Sequence, residues 1–202
     1  MIYETLLGKD FSKLHPMLQA RYRLPINEEF FAVGTMDVIQ SGPKIMRPIY
    51  HLFTHNQFLF PESGEHIPFT ISNRSYLNES KLGEVSWERT FFFPNATRKF
   101  HATMTVELER KVVKDYLGDP AIFYSDLQFH VTEEGFLLIK SGEQRIVAPG
   151  REIRLPRKLT GRVTVMEGYD DRLGVYTIHV SIFNDVIGRV MQYAGTFSPS
   201  KC

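Results

Sequence analysis

Three charged residues stand on strand faces that are otherwise apolar, and they are where this chain has chemistry to offer. Arg89 is in line with Trp87 and Phe91, Glu167 with Val163, Val165 and Tyr169, and Arg189 with Ile187, Met191, Tyr193 and Phe197. Alternate side chains of a strand share a face, so each charge should turn toward a core, where an unpaired charge is expensive. Two outcomes are open. An internal Arg–Glu bridge would satisfy the groups, and losing one partner would then cost roughly 3–5 kcal/mol; Glu167 is the expected partner of Arg89. The other outcome is a pocket in which arginine clamps a carboxylate or other anion through two parallel N–H donors. The ligand-binding candidates are therefore Trp87, Arg89, Glu167, Arg189 and Tyr193. A single bulge would reverse any of these face assignments.

Other chemistry has less support. His51 and His55 are four apart on a predicted helix and share a face, but zinc needs a third and a fourth ligand. No HExxH surrounds them, and His66 is the only other candidate nearby. No intrinsic metal site is predicted. Phosphate-cradling glycine patterns and a GxSxG elbow are absent, which leaves nucleotide binding and α/β-hydrolase chemistry unsupported. Cys202 is the single cysteine, so an internal disulfide and a multi-cysteine zinc site are excluded. No catalytic residue and no cofactor are assigned.

The totals narrow the setting. Lys and Arg number 24 against 23 Asp and Glu, a net charge of +1, without the basic excess of a nucleic-acid binder. Neither a signal-peptide pattern nor an apolar run of about 18 residues is present. A cytoplasmic protein with no membrane span is expected. Aromatic residues make up 13% of the chain, which suits a sheet.

The elements that must position these residues are mostly strands. From Gly83 to Arg110, Val85, Trp87, Phe91 and Phe93 alternate with Ser86, Glu88 and Thr90. After the turn at Pro94-Asn95, Phe100, Ala102, Met104, Val106 and Leu108 alternate with polar residues. This is a hairpin with one buried face on each strand. Residues 2–22 read as a helical arm in two pieces, broken near Gly8-Lys9-Asp10 and restarting near Pro16. Residues 28–40 form a strand with Gly34 a bulge or close-approach point, and 43–55 a helix that Pro48 kinks in its first turns. From 65 onward alternating segments follow one another, with Asp170-Asp171 and Asn184-Asp185 as turns; Pro149 to Lys158 is predicted as a basic loop. The predicted fold is α+β: one large, strongly curved antiparallel sheet, an open or partly closed barrel, with two short helical segments near the N-terminus. One domain, 1–202, is expected (arm 1–22, helix 43–55, sheet 65–197).

Short motifs along the chain resemble a known family. They are Leu14-His15-Pro16, Leu59-Phe60-Pro61-Glu62, Pro68-Phe69-Thr70, Trp87-x-Arg89-x-Phe91 and Asp115-Tyr116-Leu117-Gly118. Gly142 with Gln144 and Arg145, Leu155-Pro156, Glu167-Gly168-Tyr169-Asp170, and Gly188 with Tyr193, Gly195 and Phe197 continue the series. Together they resemble the bacterial domain of unknown function 4166 family in its stand-alone, YndH-like form. The resemblance implies no established activity and no catalytic residues. Some members are fused to NAD(P)-binding, dehydrogenase-like domains, which this chain has no room for, so an accessory role is implied only by analogy.

Three functions are carried forward. The first is a non-enzymatic binding module that holds a small, largely apolar or acidic-headed molecule in the curled sheet. The second is an enzyme, or an accessory subunit of an oxidoreductase-type partner, and the third is a protein-interaction module. An enclosed apolar cavity would favour the first over the third, and a convergent set of perturbed titrating groups the second.

Overall fold

The computed structural model describes residues 2–200; the expectations for Cys202 lie outside the described residues. Helix α1 (Ile2–Leu7), a 3-10 turn (Gly8–Lys13) and α2 (Pro16–Tyr22) form the N-terminal arm. Pro16 opens α2, and the His15 ring caps it by accepting from the Met17 N–H at 3.2 Å, one of the donors that a helix start leaves orphaned. Strand β1 (Glu29–Ser41) leads through a 3-10 turn (Lys44–Met46) into α3 (Arg47–His55). Pro48 lies in the opening turn of α3, where its missing N–H costs nothing. It therefore starts the helix and does not kink it.

Apart from a 3-10 turn (Arg157–Leu159), the remaining elements are strands: β2 (Gly64–Leu77), β3 (Gly83–Phe93), β4 (Ala96–Glu107), β5 (Val112–Gly118), β6 (Ala121–Val131), β7 (Leu137–Ala148), β8 (Arg151–Arg154), β9 (Arg162–Asp170), β10 (Val175–Asn184) and β11 (Gly188–Pro199). All pairings are antiparallel. The sheet runs β6-β5-β4-β3-β2-β1-β11-β10-β9-β7-β8, and β6 also pairs with β7. That extra pairing closes ten strands into a barrel and leaves β8 as a flap on β7, so no ring strand keeps a free edge. The basic loop predicted at 149–158 is thus partly ordered. Arg145, Ile146, Val147 and Ala148 pair with Arg154, Ile153, Glu152 and Arg151.

Inward faces carry the predicted apolar residues on β3 (Val85, Trp87, Phe91 and Phe93) and on β4 (Phe100, Ala102 and Met104), all buried, and on β10 Tyr176, Ile178, Val180 and Ile182 are buried as well. Gly34 is a close-approach point: a Cβ there would meet the Thr196 carbonyl oxygen and the Phe69 ring. The bulge in β1 falls between Met36 and Val38. On β6 the alternation fails. A register shift between Ser125 and Leu127 leaves Tyr124, Ser125, Asp126 and Leu127 all buried, with Asp126 held by Arg110 and by the Tyr124 hydroxyl.

Each mouth is covered. The arm closes the end at which β1 begins, burying Tyr3, Phe11, Leu14, Leu18 and Tyr22. At the other end the Tyr50 hydroxyl donates to the Val190 carbonyl of β11 at 2.6 Å. Asp119 N–H donates to Asn56 O across the mouth at 2.8 Å, so α3 bridges the rim. Phe58 and Phe60 pack beneath it on Phe100, Phe91 and Phe93.

Candidate functional site

The barrel interior is not uniformly apolar. Arg89 projects inward from β3, with 8% of its surface exposed. Its Nη1 donates to the Tyr193 hydroxyl at 2.9 Å, and its guanidinium carbon lies 4.3 Å from the centre of the Phe100 ring, a cation–π contact. Among the described residues no carboxylate forms an ion pair with it. The charge that its field reaches is Asp115 on β5, which is also buried; burial pushes the Asp115 carboxyl up to about 7, against the pull of Arg89. Desolvation of the anion outweighs the attraction of a cation that does not touch it.

Glu167, 1% exposed on β9, is held from the arm. Arg21 of α2 forms an ion pair with it, and the Tyr22 hydroxyl donates to it at 2.7 Å. Arg21 Nη2 also donates to Asn73 Oδ1 on β2 at 3.3 Å. Five rings, those of Tyr22, Phe30, Trp87, Tyr176 and Phe197, surround the Arg21 guanidinium carbon at 4.9 to 5.8 Å. Burial disfavours this cation most strongly, but Glu167, Tyr22 and Tyr176 together outweigh it and the pKa of Arg21 moves up. Burial and the neighbouring Glu167 raise the Tyr22 phenol, so it stays a proton donor. Trp87 Nε1 donates to the Tyr3 hydroxyl at 2.8 Å. Fields from Arg89, Glu167 and Asp115 all reach the buried Tyr193 phenol, so these groups form one cluster.

Five atoms of the cluster are buried without a protein partner among the described residues: Arg21 Nε, Asn73 Nδ2, Arg89 Nε, Asp115 Oδ1 and Glu167 Oε1. An unmet buried polar group costs about 1–3 kcal/mol. Three donors and two acceptors, from α2, β2, β3, β5 and β9, are thus left without a hydrogen-bond partner in the interior.

Of the residues singled out in the sequence, Trp87, Arg89, Glu167 and Tyr193 are brought together. The expected Arg89–Glu167 bridge is corrected, because Arg21 occupies Glu167. Arg189 is corrected too: it is exposed. In the β10–β11 ladder Ile182 faces Met191 while Phe183 faces Arg189, so Val190 is the extra residue and reverses the parity beyond it. Arg21, Tyr22, Asn73 and Asp115 were missed. Asp115 had the same signal as Arg89, since Val113, Asp115 and Leu117 share a face; Arg21 and Tyr22 continue the stripe of Leu14 and Leu18.

The histidine pair lies elsewhere, exposed on α3, with His55 Nδ1 2.7 Å from the His51 carbonyl oxygen. Beside it, outside the barrel, is an open cleft of about 530 Å³ whose lining includes Ser41, Lys44, Arg47, Tyr50, His51 and Glu62.

The chain matches a family model described as Domain of unknown function (DUF4166) over residues 14–197. The chain belongs to the DUF4166 family. It is 37% identical over 196 residues to the uncharacterized protein YndH of Bacillus subtilis (strain 168), covering 97% of this chain and 95% of that protein. In DUF4166 terms, the matched span takes in α2 and every strand of the cluster but leaves out α1. No helix of the described residues is long and apolar enough to cross a membrane.

Proposed function

We propose that this protein is a non-enzymatic binding module, and that its barrel interior holds a small molecule with an acidic head group and a largely apolar body. The observation that carries this reading is the convergence of five unpartnered buried polar atoms on one cluster. With Arg21 matched by Glu167 and Asp115 drawn toward its neutral form, the Arg89 cation has no matching anion, and a ligand carboxylate would supply one. Its apolar body would meet the rings of Phe91, Phe100 and Trp87, which are buried around Arg89. Asp115, when protonated, would donate to the same head group. The arm covers this end of the barrel, so access requires α1 and α2 to lift.

Native mass spectrometry of the protein as isolated tests this. A bound organic acid is expected in the wild type and should be lost from Arg89→Met, with the fold of the variant checked by circular dichroism. No bound mass, together with no thermal shift from medium-chain carboxylates in either protein, would overturn the reading. One observation favours a second reading, an enzyme: an acid poised near 7 is suited to general acid–base work. Turnover of the bound acid that disappears in Asp115→Asn would replace binding with catalysis.

A further inference from the structure

The end of the barrel crossed by α3 presents apolar side chains to solvent. Ile45, Ile49 and Leu52 are 81%, 40% and 64% exposed, while Tyr50 on the opposite side of the helix is buried. The spacing 45, 49, 52 is one helical stripe, and it faces away from the core. Leu159, in the 3-10 turn Arg157–Leu159, and Val186, at the tip of the β10–β11 hairpin, are 65% and 68% exposed.

These three segments adjoin one another. Asn184 Nδ2 donates to the Lys158 and Thr160 carbonyls at 3.0 and 2.8 Å, which ties the 3-10 turn to the hairpin. The Tyr50 hydroxyl donates to Val190 O and accepts from Gly42 N–H, which ties the start of β11 to α3.

Free cations predominate around this face. Lys44, Arg47, Arg157, Lys158 and Arg189 are exposed and none makes an ion pair among the described residues. Most neighbouring carboxylates are already taken: Glu62 by Arg98, Glu143 and Glu152 by Arg145, and Asp185 by Arg162; Asp37 and Glu65, on the adjoining stretches of β1 and β2, are exposed and make no ion pair among the described residues. Unpaired Asp119 is at the far rim, where its N–H bonds Asn56 beyond the C-terminus of α3. The opposite end of the barrel also exposes leucines, such as Leu108 and Leu173, but the charge beside them is mixed: Glu107, Glu109, Asp170 and Asp171 stand among Arg110, Lys111 and Arg172.

We propose that the α3 end of the barrel is a docking face for an anionic lipid bilayer surface. Aliphatic side chains would sink to the boundary between headgroups and acyl chains while the surrounding cations meet lipid phosphates. The same uncompensated positive charge disfavours a second copy of the chain on this face, because like charges would meet. The proposal is independent of what the barrel interior holds.

Vesicle sedimentation with the full chain decides it. The protein should partition onto vesicles of equal parts phosphatidylglycerol and phosphatidylcholine, and not onto pure phosphatidylcholine, with loss of binding at high salt. Leu52→Ser with Leu159→Ser, and separately Lys158→Glu with Arg189→Glu, should each weaken partitioning by roughly tenfold or more. Leu108→Ser with Leu173→Ser should leave it unchanged. All these positions are exposed, and circular dichroism checks each fold. A Leu52→Trp variant should blue-shift its emission on the anionic vesicles, whereas Leu173→Trp should not. No partitioning onto anionic vesicles, equal partitioning onto both compositions, or the same loss from the Leu108/Leu173 variant would overturn the proposal. So would exclusive capture of an acidic protein, with vesicles left unbound.

Discussion

Asp115 is the residue whose burial has the most direct consequence. A carboxyl pushed up to about 7 in the folded chain, from an ordinary value of 3.8, binds a proton more tightly folded than unfolded. Its contribution to stability is therefore complete below about pH 4 and is lost as pH rises toward 7, a change on the order of a few kcal/mol. Asp115→Asn should match the wild type near pH 4 and be the more stable of the two at pH 8, as read by thermal melts across that range. An unchanged pH slope in the variant would place the titration elsewhere. At this scale the sequence was legible where strand parity held. Arg89, Trp87 and Tyr193 follow it into the barrel, and Asp115 follows it as well. Arg189 was not legible, because the extra residue at Val190 has no compositional signature. The partner of Glu167 was hidden for another reason: Arg21 is 146 positions away, on a helix, and parity says which face a charge takes but not what it meets there.

Among the elements, the N-terminal arm is the one whose attachment depends on a few named contacts. Arg21 and Tyr22 reach Glu167, Tyr3 reaches Trp87, and the Tyr176 hydroxyl donates to the Met17 carbonyl at 3.0 Å. Removing Arg21 alone would leave Glu167 buried with only a phenol to hold it. Arg21→Met should cost roughly 3–5 kcal/mol in urea unfolding, and Arg21→Met with Glu167→Leu should recover much of that. Hydrogen exchange gives the local form of the same expectation: amides of residues 2–22 should exchange faster in Arg21→Met while those of β10 keep their protection. The two-part arm and the helix before residue 60 were legible from apolar stripes and proline positions. Strand β8 was not, since all four of its residues are exposed and a flap without a buried face leaves no alternation in the sequence.

For the molecule as a whole, closure rests on positions where the inner wall has no room. Gly34 and Gly195 lie on β1 and β11, on the inward faces, and a Cβ on Gly195 would run into the Met36 Cα as well as the Thr35 carbonyl. These are backbone atoms and cannot swing aside. Gly195→Ala should destabilise the barrel by about 1–3 kcal/mol, against a much smaller change for an alanine at Gly83, whose backbone is not left-handed and where the nearest atom is the Ile2 side-chain Cγ2 at 3.3 Å, free to shift. A thermal melt distinguishes the two. Curvature was legible from the number of strands, but closure was not. It depends on β6 meeting β7 while β7 also meets β9, a choice of neighbours that alternation along one strand cannot encode.

The pairing of β1 with β11 also sets a timetable. The first and last strands of the ring lie side by side, with Ala32 opposite Pro199 and Ser41 opposite Met191. A ribosome releases them far apart in time, because β2 to β10 are made between them. Until residue 199 emerges, β1 has one neighbour instead of two, and Gly34 and Met36 face an open seam. Contacts between residues this far apart in sequence form late and fold slowly, and an unpaired strand is a site for wrong partners in the meantime. The nascent chain must therefore carry an open-edged sheet until β11 arrives to seal it.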